Sequence, residues 1–145
     1  MFNGRILVAT DGSELSEEAV KTAVGLARAL GAEVVAFTTL PVYPFSGIGE
    51  SSGIAAGDHQ ARAGAEASDR LAYVQQVAAE AGVACHTSML EDDEPYRAII
   101  TAADKHDCGL IVMASHGRRG VHGLVLGSET QRVLTHTRRP VLVVR

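Results

Sequence analysis

The chain has 145 residues and a formal net charge of −4, with 46% hydrophobic and 21% charged residues. This balance is typical of a globular protein and excludes a disordered chain. The negative charge argues against a nucleic-acid partner, because general nucleic-acid binding favours a basic face. No apolar run approaches the ~18 residues of a membrane span. We therefore expect a cytoplasmic protein, with no membrane partner and with one domain over residues 1–145.

The two cysteines of the chain, Cys85 and Cys108, show no CxxC spacing and no paired histidines nearby. This pattern favours free cytosolic thiols over metal binding or redox chemistry. The chain also has enough residues to bury a core without disulfide bonds or a structural metal ion.

The first part of the chain predicts two strands joined by a helix. Arg5–Thr10 is a continuous apolar run, which is typical of a strand covered on both faces. Ser13 then caps a helix with an apolar stripe, and Gly31 suits the left-handed end of that helix. Glu33–Leu40 predicts the second strand. Pro41–Gly57, rich in Pro, Gly and Ser, predicts a long loop that acts as a lid or partner contact, or is simply disordered.

The remaining chain continues the alternation of helices and strands. Ala61–Ala81 predicts the second helix, and Val83–Leu90 predicts the third strand. Pro95 fits the first turn of a third helix, which runs to about residue 106. The last three elements are a strand, a helix and a strand, over Gly109–Ala114, Ser128–His136 and Val141–Val144. This alternation predicts a parallel sheet with helices on both faces and right-handed crossovers.

The segment from Ala114 to Thr130 carries the candidate chemistry. Its glycines let the backbone approach an anion closely, and they permit the positive φ that a phosphate nest often needs. The N–H groups at the start of the helix at Ser128 offer a positive dipole end. Arg118 or Arg119 would offset further phosphate charge. Glycines also simply make turns, so the arrangement alone leaves both interpretations open.

The spacing within this segment is more specific. Ala114-Ser115-His116-Gly117, nine further residues and then Gly127-Ser128 resemble the nucleotide-binding motif of the universal stress protein family. The resemblance covers the whole chain and rests also on ILVATDGSELSEEAV, LIVMASHGRRG, LGSETQRVL and RPVLVV. It implies one doubly wound α/β domain with a five-stranded parallel sheet in the order 3-2-1-4-5 and four helices. It also implies a homodimer through Val141–Val144, whose short apolar edge would otherwise be exposed.

Ligands of such sheets bind at the carboxyl ends of the strands where the strand order reverses, which is between strands one and four. The resemblance implies ATP, or AMP or ADP, with Mg²⁺ or Mn²⁺ beside the phosphates. Asp11 would accept hydrogen bonds from the ribose, or cap the turn into the first helix, or both. The implied nucleotide-binding residues are Ala9, Thr10, Asp11, Thr39 (main-chain bonds to adenine), Met113, Ala114, His116, Gly117, Arg118, Gly127, Ser128, Glu129 and Thr130.

Two residues depart from the family motif. Ala114 stands where the motif opens with glycine, and its methyl group is tolerated if its φ is negative. Glu129 stands where ATP-binding members usually carry a small apolar residue. A glutamate suits the start of a helix, but it would repel a triphosphate unless it turns outward or reaches a cation.

His116 has two interpretations, a general acid or base and a residue that stabilises its loop or contacts the ligand. The motif shows no partner set for hydrolysis, so any ATP hydrolysis is expected to be slow. We predict a nucleotide-binding stress-response regulatory protein, whose regulatory partner the sequence does not name. The alternative is a stress protein that binds no nucleotide and acts through dimerisation and association. A flavodoxin-like electron carrier lacks support, because the motif follows strand four and aromatic residues are few.

Overall fold

In the computed structural model, the described residues are 2–42, 50–117 and 125–145, with the backbone alone described for 50–56. Five strands alternate with four helices. Their bounds are β1 Arg5–Ala9, α1 Glu14–Leu30, β2 Glu33–Leu40, α2 Glu50–Glu80, β3 Cys85–Glu91, α3 Pro95–Lys105, β4 Leu110–Ala114, α4 Ser128–His136 and β5 Val141–Val144.

The five strands form one sheet in the order β3-β2-β1-β4-β5, and every pair is parallel. The predicted fold class and strand order are therefore confirmed. The order reverses between β1 and β4. At such a point the connections leave the sheet in opposite directions, so that a crevice opens at the carboxyl ends of the two strands.

Helices cover both faces of the sheet. Ile6 and Val8 of β1 pack with α1 and α2 on one face, and Leu7 packs with α3 and α4 on the other. This alternation follows from the period-two direction of strand side chains. Because both faces are buried, the central strands read as continuous apolar runs.

The ends of α1 confirm the predicted capping residues. The Ser13 hydroxyl accepts a hydrogen bond from the Ser16 N–H over 3.2 Å, which satisfies one donor of the first turn. Gly31 has a φ of 66°, the left-handed conformation in which glycine carries no steric penalty.

The start of α2 differs from the prediction. The helix begins at Glu50 rather than at Ala61, so the loop predicted over Pro41–Gly57 is wrong for residues 50–57. The part of that loop over residues 43–49 lies outside the described residues. Glycine and serine indicated a loop, but a helix that has already formed gains one hydrogen bond for each residue it adds. A glycine costs only about 1 kcal/mol relative to alanine inside a helix.

Cys85 and Cys108 are both free thiols, as predicted. Burial raises the pKa of the Cys108 thiol to about 11, which keeps it protonated and unreactive near neutral pH. Within the described ranges, no helix combines the length and apolar character needed to span a membrane.

Candidate functional site

A cavity of about 940 Å³ lies at the carboxyl ends of β1, β2 and β4 and at the starts of α3 and α4. This is the crevice where the strand order reverses. The predicted site residues that line it are Ala9, Thr10, Asp11, Thr39, Met113, Ala114, His116, Gly117, Gly127, Ser128, Glu129 and Thr130. Arg118 lies outside the described residues.

Asp11 and Gly117 bring the loops after β1 and β4 together. One carboxylate oxygen of Asp11 accepts a hydrogen bond from the Ser13 N–H over 3.0 Å, so Asp11 does cap the turn into α1. A Cβ on Gly117 would lie 2.7 Å from the other oxygen, Oδ2. A side chain at residue 117 would therefore require the carboxylate of Asp11 to move.

Gly127 lies close to the residues that follow β4. Its N–H donates to the carbonyl of Ser115 over 2.8 Å, and a Cβ would lie 3.1 Å from that carbonyl oxygen and 3.4 Å from the His116 Cα. The sequence permits a positive φ at these glycines, but neither Gly117 nor Gly127 has one. Gly127 lies close to the backbone of Ser115 and His116, and Gly117 lies close to the side-chain carboxylate of Asp11.

His116 connects the end of β4 with Val125, the first described residue before α4. Its Nδ1 lies 3.0 Å from the Ser115 hydroxyl, and its Nε2 is hydrogen-bonded to the carbonyl of Val125. Because a carbonyl only accepts, Nε2 must carry a proton, and in the neutral ring Nδ1 accepts from Ser115. Both ring nitrogens are thus engaged, which favours the loop-stabilising interpretation of His116.

Thr130 and Ala114 join α4 to β4. The hydroxyl of Thr130, a residue only 3% exposed, donates to the Ala114 carbonyl over 2.9 Å and lies 3.2 Å from the Ser115 carbonyl. Its side chain is therefore committed to the fold. Ala114 has no positive φ, so the alanine that replaces the motif's glycine introduces no backbone strain.

The first turn of α4 faces the cavity without a capping side chain. Gly127 is the N-cap residue, and no side chain caps the helix there. The first N–H groups of a helix have no partners within it. Together with the helix dipole, such groups form a site that suits an anion.

Glu129 turns toward the neighbouring helix α3. Its Oε2 accepts a hydrogen bond from the Tyr96 N–H over 2.8 Å, and its Oε1 lies 3.4 Å from the Arg132 guanidinium. Glu94, the N-cap residue of α3, makes no capping bond with its own side chain. Glu129 therefore caps α3 from outside that helix, a role that local sequence patterns do not reveal.

The main chain of Thr39 is directed into the crevice. The Glu33 N–H donates to Gly4 and the Phe37 carbonyl accepts from Thr10, so odd-numbered residues of β2 face β1. The Leu40 carbonyl accepts from Asp92, after β3. The N–H and C=O of Thr39 therefore point to the side of β2 on which β1 lies. Thr39 is two residues beyond Phe37, which pairs with Ala9, the last residue of β1.

Three apolar residues, Phe37, Ile99 and Met113, also line the cavity and are called its apolar wall below. Phe37 is fully buried, and the other two are each 6% exposed. Apolar surfaces beside a few directed polar groups are typical of small-molecule sites.

Arg70 of α2 also lines the cavity and was not among the predicted site residues. Its side chain is 19% exposed and lies 3.7 Å from Glu66. The sequence pattern of α2 predicts only an apolar stripe. Arg70 follows Ala67 by three residues and precedes Val74 by four, so helical spacing does place it beside the buried face.

The acidic run before α3 serves the start of that helix. Asp92 accepts from the Glu94 N–H over 2.9 Å, and hydrogen bonds from the Arg97 guanidinium hold the pKa of its carboxyl well below the usual range. Of the described residues, no group of three or more His, Cys, Asp or Glu side chains is placed to hold a metal ion.

Comparison with known proteins identifies the family of this chain. The model of the universal stress protein family matches residues 3–145. A universal stress protein of Methanocaldococcus jannaschii is 39% identical over 142 residues, which cover 97% of this chain and 81% of that relative.

Solved structures share the fold. Universal stress protein UspA from Lactobacillus plantarum superposes with a TM-score of 0.86 at 24% identity, covering 100% of this chain and 99% of that one. A universal stress protein in complex with cAMP gives a TM-score of 0.72 at 24% identity, over 97% and 96% of the two chains. One from Archaeoglobus fulgidus in complex with dAMP gives 0.69 at 24% identity, over the whole of both. The family match over nearly the whole length shows that this chain belongs to the universal stress protein family.

Proposed function

We propose that the crevice binds an adenine nucleotide and that the protein is a nucleotide-binding regulator of the stress response. The observation that carries this proposal is the convergence of Asp11, Gly117 and the open first turn of α4 on one cavity. These groups come from three separate parts of the chain. Each has a chemistry that suits one part of a nucleotide.

The base would lie against the apolar wall of Phe37, Ile99 and Met113. The main-chain N–H and C=O of Thr39 supply one donor and one acceptor, a combination that can pair with the edge of adenine. Asp11 would accept hydrogen bonds from the ribose hydroxyls, because its carboxylate is an acceptor with two oxygens.

The phosphates would lie at the first turn of α4, where backbone N–H groups and the helix dipole favour an anion. A divalent cation, Mg²⁺ or Mn²⁺, would enter with the phosphates, because phosphate oxygens are ligands that such cations favour. The relatives solved with cAMP and dAMP hold ligands of this class, which supports the proposal for this chain.

Regulation would act through association rather than catalysis. His116 is bonded at both ring nitrogens, so it serves the loop, and any hydrolysis of ATP would be slow. The apolar strand β5 forms one edge of the sheet, and two copies would pair there as a homodimer. In the alternative function, the protein would also dimerise through β5, but no nucleotide would bind in the crevice.

A direct test denatures protein purified under native conditions, identifies any nucleotide released, and then titrates emptied protein with AMP and Mg-ATP by calorimetry. We expect one nucleotide per chain. Absence of binding at millimolar concentrations would favour the alternative function.

A matched pair of glycine variants locates the site. In Gly117→Val the new side chain displaces the Asp11 carboxylate, so affinity should fall at least about tenfold, or about 1.4 kcal/mol. In Gly25→Val, on the exposed side of α1, a Cβ meets nothing within 4 Å, and affinity should not change. Equal affinity in both variants would place the phosphates elsewhere.

A further inference from the structure

Glu129 holds a carboxylate at the phosphate end of the proposed site. It is the second residue of α4 and lines the cavity beside Gly127 and Ser128. Its hydrogen bond from Tyr96 N–H and its contact with Arg132 fix the side chain between α3 and α4. Because α3 has no capping side chain of its own, a displaced Glu129 would leave the start of that helix uncapped.

Among the described residues, the charged side chains that line the cavity are mostly acidic. Of the described residues that line it, Asp11, Asp93 and Glu129 are acidic, and Arg70 alone is basic among lysines and arginines. Arg70 is paired with Glu66, and Glu129 is paired with Arg132 in the same way, at 3.7 Å and 3.4 Å respectively. One phosphate would accept hydrogen bonds from the N–H groups of the first turn of α4, whereas each further phosphate would add negative charge near Glu129. Such repulsion is stronger in a partly enclosed cleft than in water.

We infer that Glu129 makes this crevice selective for nucleotides with a single phosphate, simple or cyclic monoesters, over nucleoside triphosphates. The inference rests on the proposed function, because it presumes that a nucleotide binds with its phosphate at α4. Glu129 would thus determine which nucleotides bind most tightly, a property that the other residues of the site do not determine. The same carboxylate thus caps α3 and limits the charge of the ligand.

Glu129→Gln is the appropriate variant, since the amide oxygen can still accept from Tyr96 while the negative charge is removed. Glu94→Gln is its matched control. Glu94 lies at the same junction and pairs with the same Arg132, over 3.6 Å, but it does not line the cavity. Any effect of lost charge on the junction itself would therefore appear in both variants.

The experiment titrates both variants and the wild type with AMP and with ATP by calorimetry, in buffer with a chelator so that no cation masks the phosphate charge. We expect wild type to bind AMP more tightly than ATP. Glu129→Gln should narrow the ratio of the two affinities about tenfold, mainly by tightening ATP, as expected for loss of a nearby like charge. Glu94→Gln should leave the ratio unchanged.

Three results would overturn the inference while the proposed function stands. The first is a wild type that binds ATP more tightly than AMP. The others are a ratio of AMP to ATP affinity that does not narrow in Glu129→Gln, or that narrows equally in Glu94→Gln. If wild type binds neither nucleotide, both fail. A measurement on wild type alone guards against a variant that folds poorly. Added salt should favour ATP relative to AMP, because it screens the repulsion, and a ratio that moves the other way would also overturn the inference.

Discussion

The buried hydroxyl of Thr130 donates a hydrogen bond to the backbone carbonyl of Ala114 over 2.9 Å. This bond joins the first turn of α4 to the last residue of β4. The N–H groups that α4 presents to the crevice are therefore positioned by the sheet itself. Loss of the bond affects stability and the site together.

Thr130→Val keeps the shape of the side chain but removes the hydroxyl that donates to the Ala114 carbonyl. We expect the free energy of unfolding to fall by about 1–3 kcal/mol, the cost of a buried polar group left unsatisfied. Urea denaturation measures the change. Thr135→Val is the control, because Thr135 is exposed on the same helix and donates to Gln131. An equal loss in both variants would show that the burial of the Thr130 bond has no special importance.

Thr39→Pro tests recognition of the base by the main chain. Proline removes the N–H that is directed into the crevice, whereas the bonds from β2 to β3 involve the neighbouring residues Thr38 and Leu40. We expect nucleotide affinity to fall about fivefold to tenfold, as for one lost hydrogen bond of about 1–1.5 kcal/mol. Thr39→Ala keeps the N–H and should bind normally in the same calorimetric titration. Weaker binding in Thr39→Ala would mean that the side chain, and not the main chain, contacts the ligand.

Arg70→Gln tests the cation that the sequence patterns did not identify as part of the site. Removing its charge should weaken AMP binding severalfold and make that binding less sensitive to salt, since an ionic contribution is lost. Arg62→Gln, at an exposed position of the same helix, should change neither property. The prediction fails if both variants behave alike across a series of salt concentrations.

Val143→Pro tests the proposed dimer. The carbonyls of Pro140 and Val144 bond to β4, so alternation directs the N–H of Val143 away from β4, toward the free edge. Proline there removes a donor from the edge alone and is tolerated in edge strands. We expect monomers by analytical ultracentrifugation, with the fold retained by circular dichroism. Val143→Ala, which keeps the N–H, should remain dimeric, and a dimeric Val143→Pro would mean that this edge is not the interface.

Much of the fold could be predicted because buried positions of strands and helices appear as regular patterns of apolar residues in the sequence. The run over Arg5–Thr10 and the caps Ser13 and Gly31 follow from local physics, and the structure confirms them with small shifts of boundary. The start of α2 could not be predicted in this way. Its glycines and serines are poor helix formers, and extension from the alanine-rich segment overrides that local preference.

The candidate site, like the fold, could be predicted from the sequence only in part. Residues that a motif spacing marks, such as Gly117 and Gly127, could be named from the sequence. The contacts that explain them could not, because they join residues far apart in the chain. The carboxylate of Asp11 against Gly117, the capping of α3 by Glu129 and the approach of Arg70 all depend on how helices pack on the sheet.

The central claim is that the crevice between β1 and β4 holds an adenine nucleotide. A crystal structure grown with saturating AMP tests it most directly. We expect density with the base beside Phe37 and Met113, the ribose at Asp11 and the phosphate at the first turn of α4. An empty crevice at a concentration well above the calorimetric dissociation constant, or a nucleotide bound elsewhere, would contradict it.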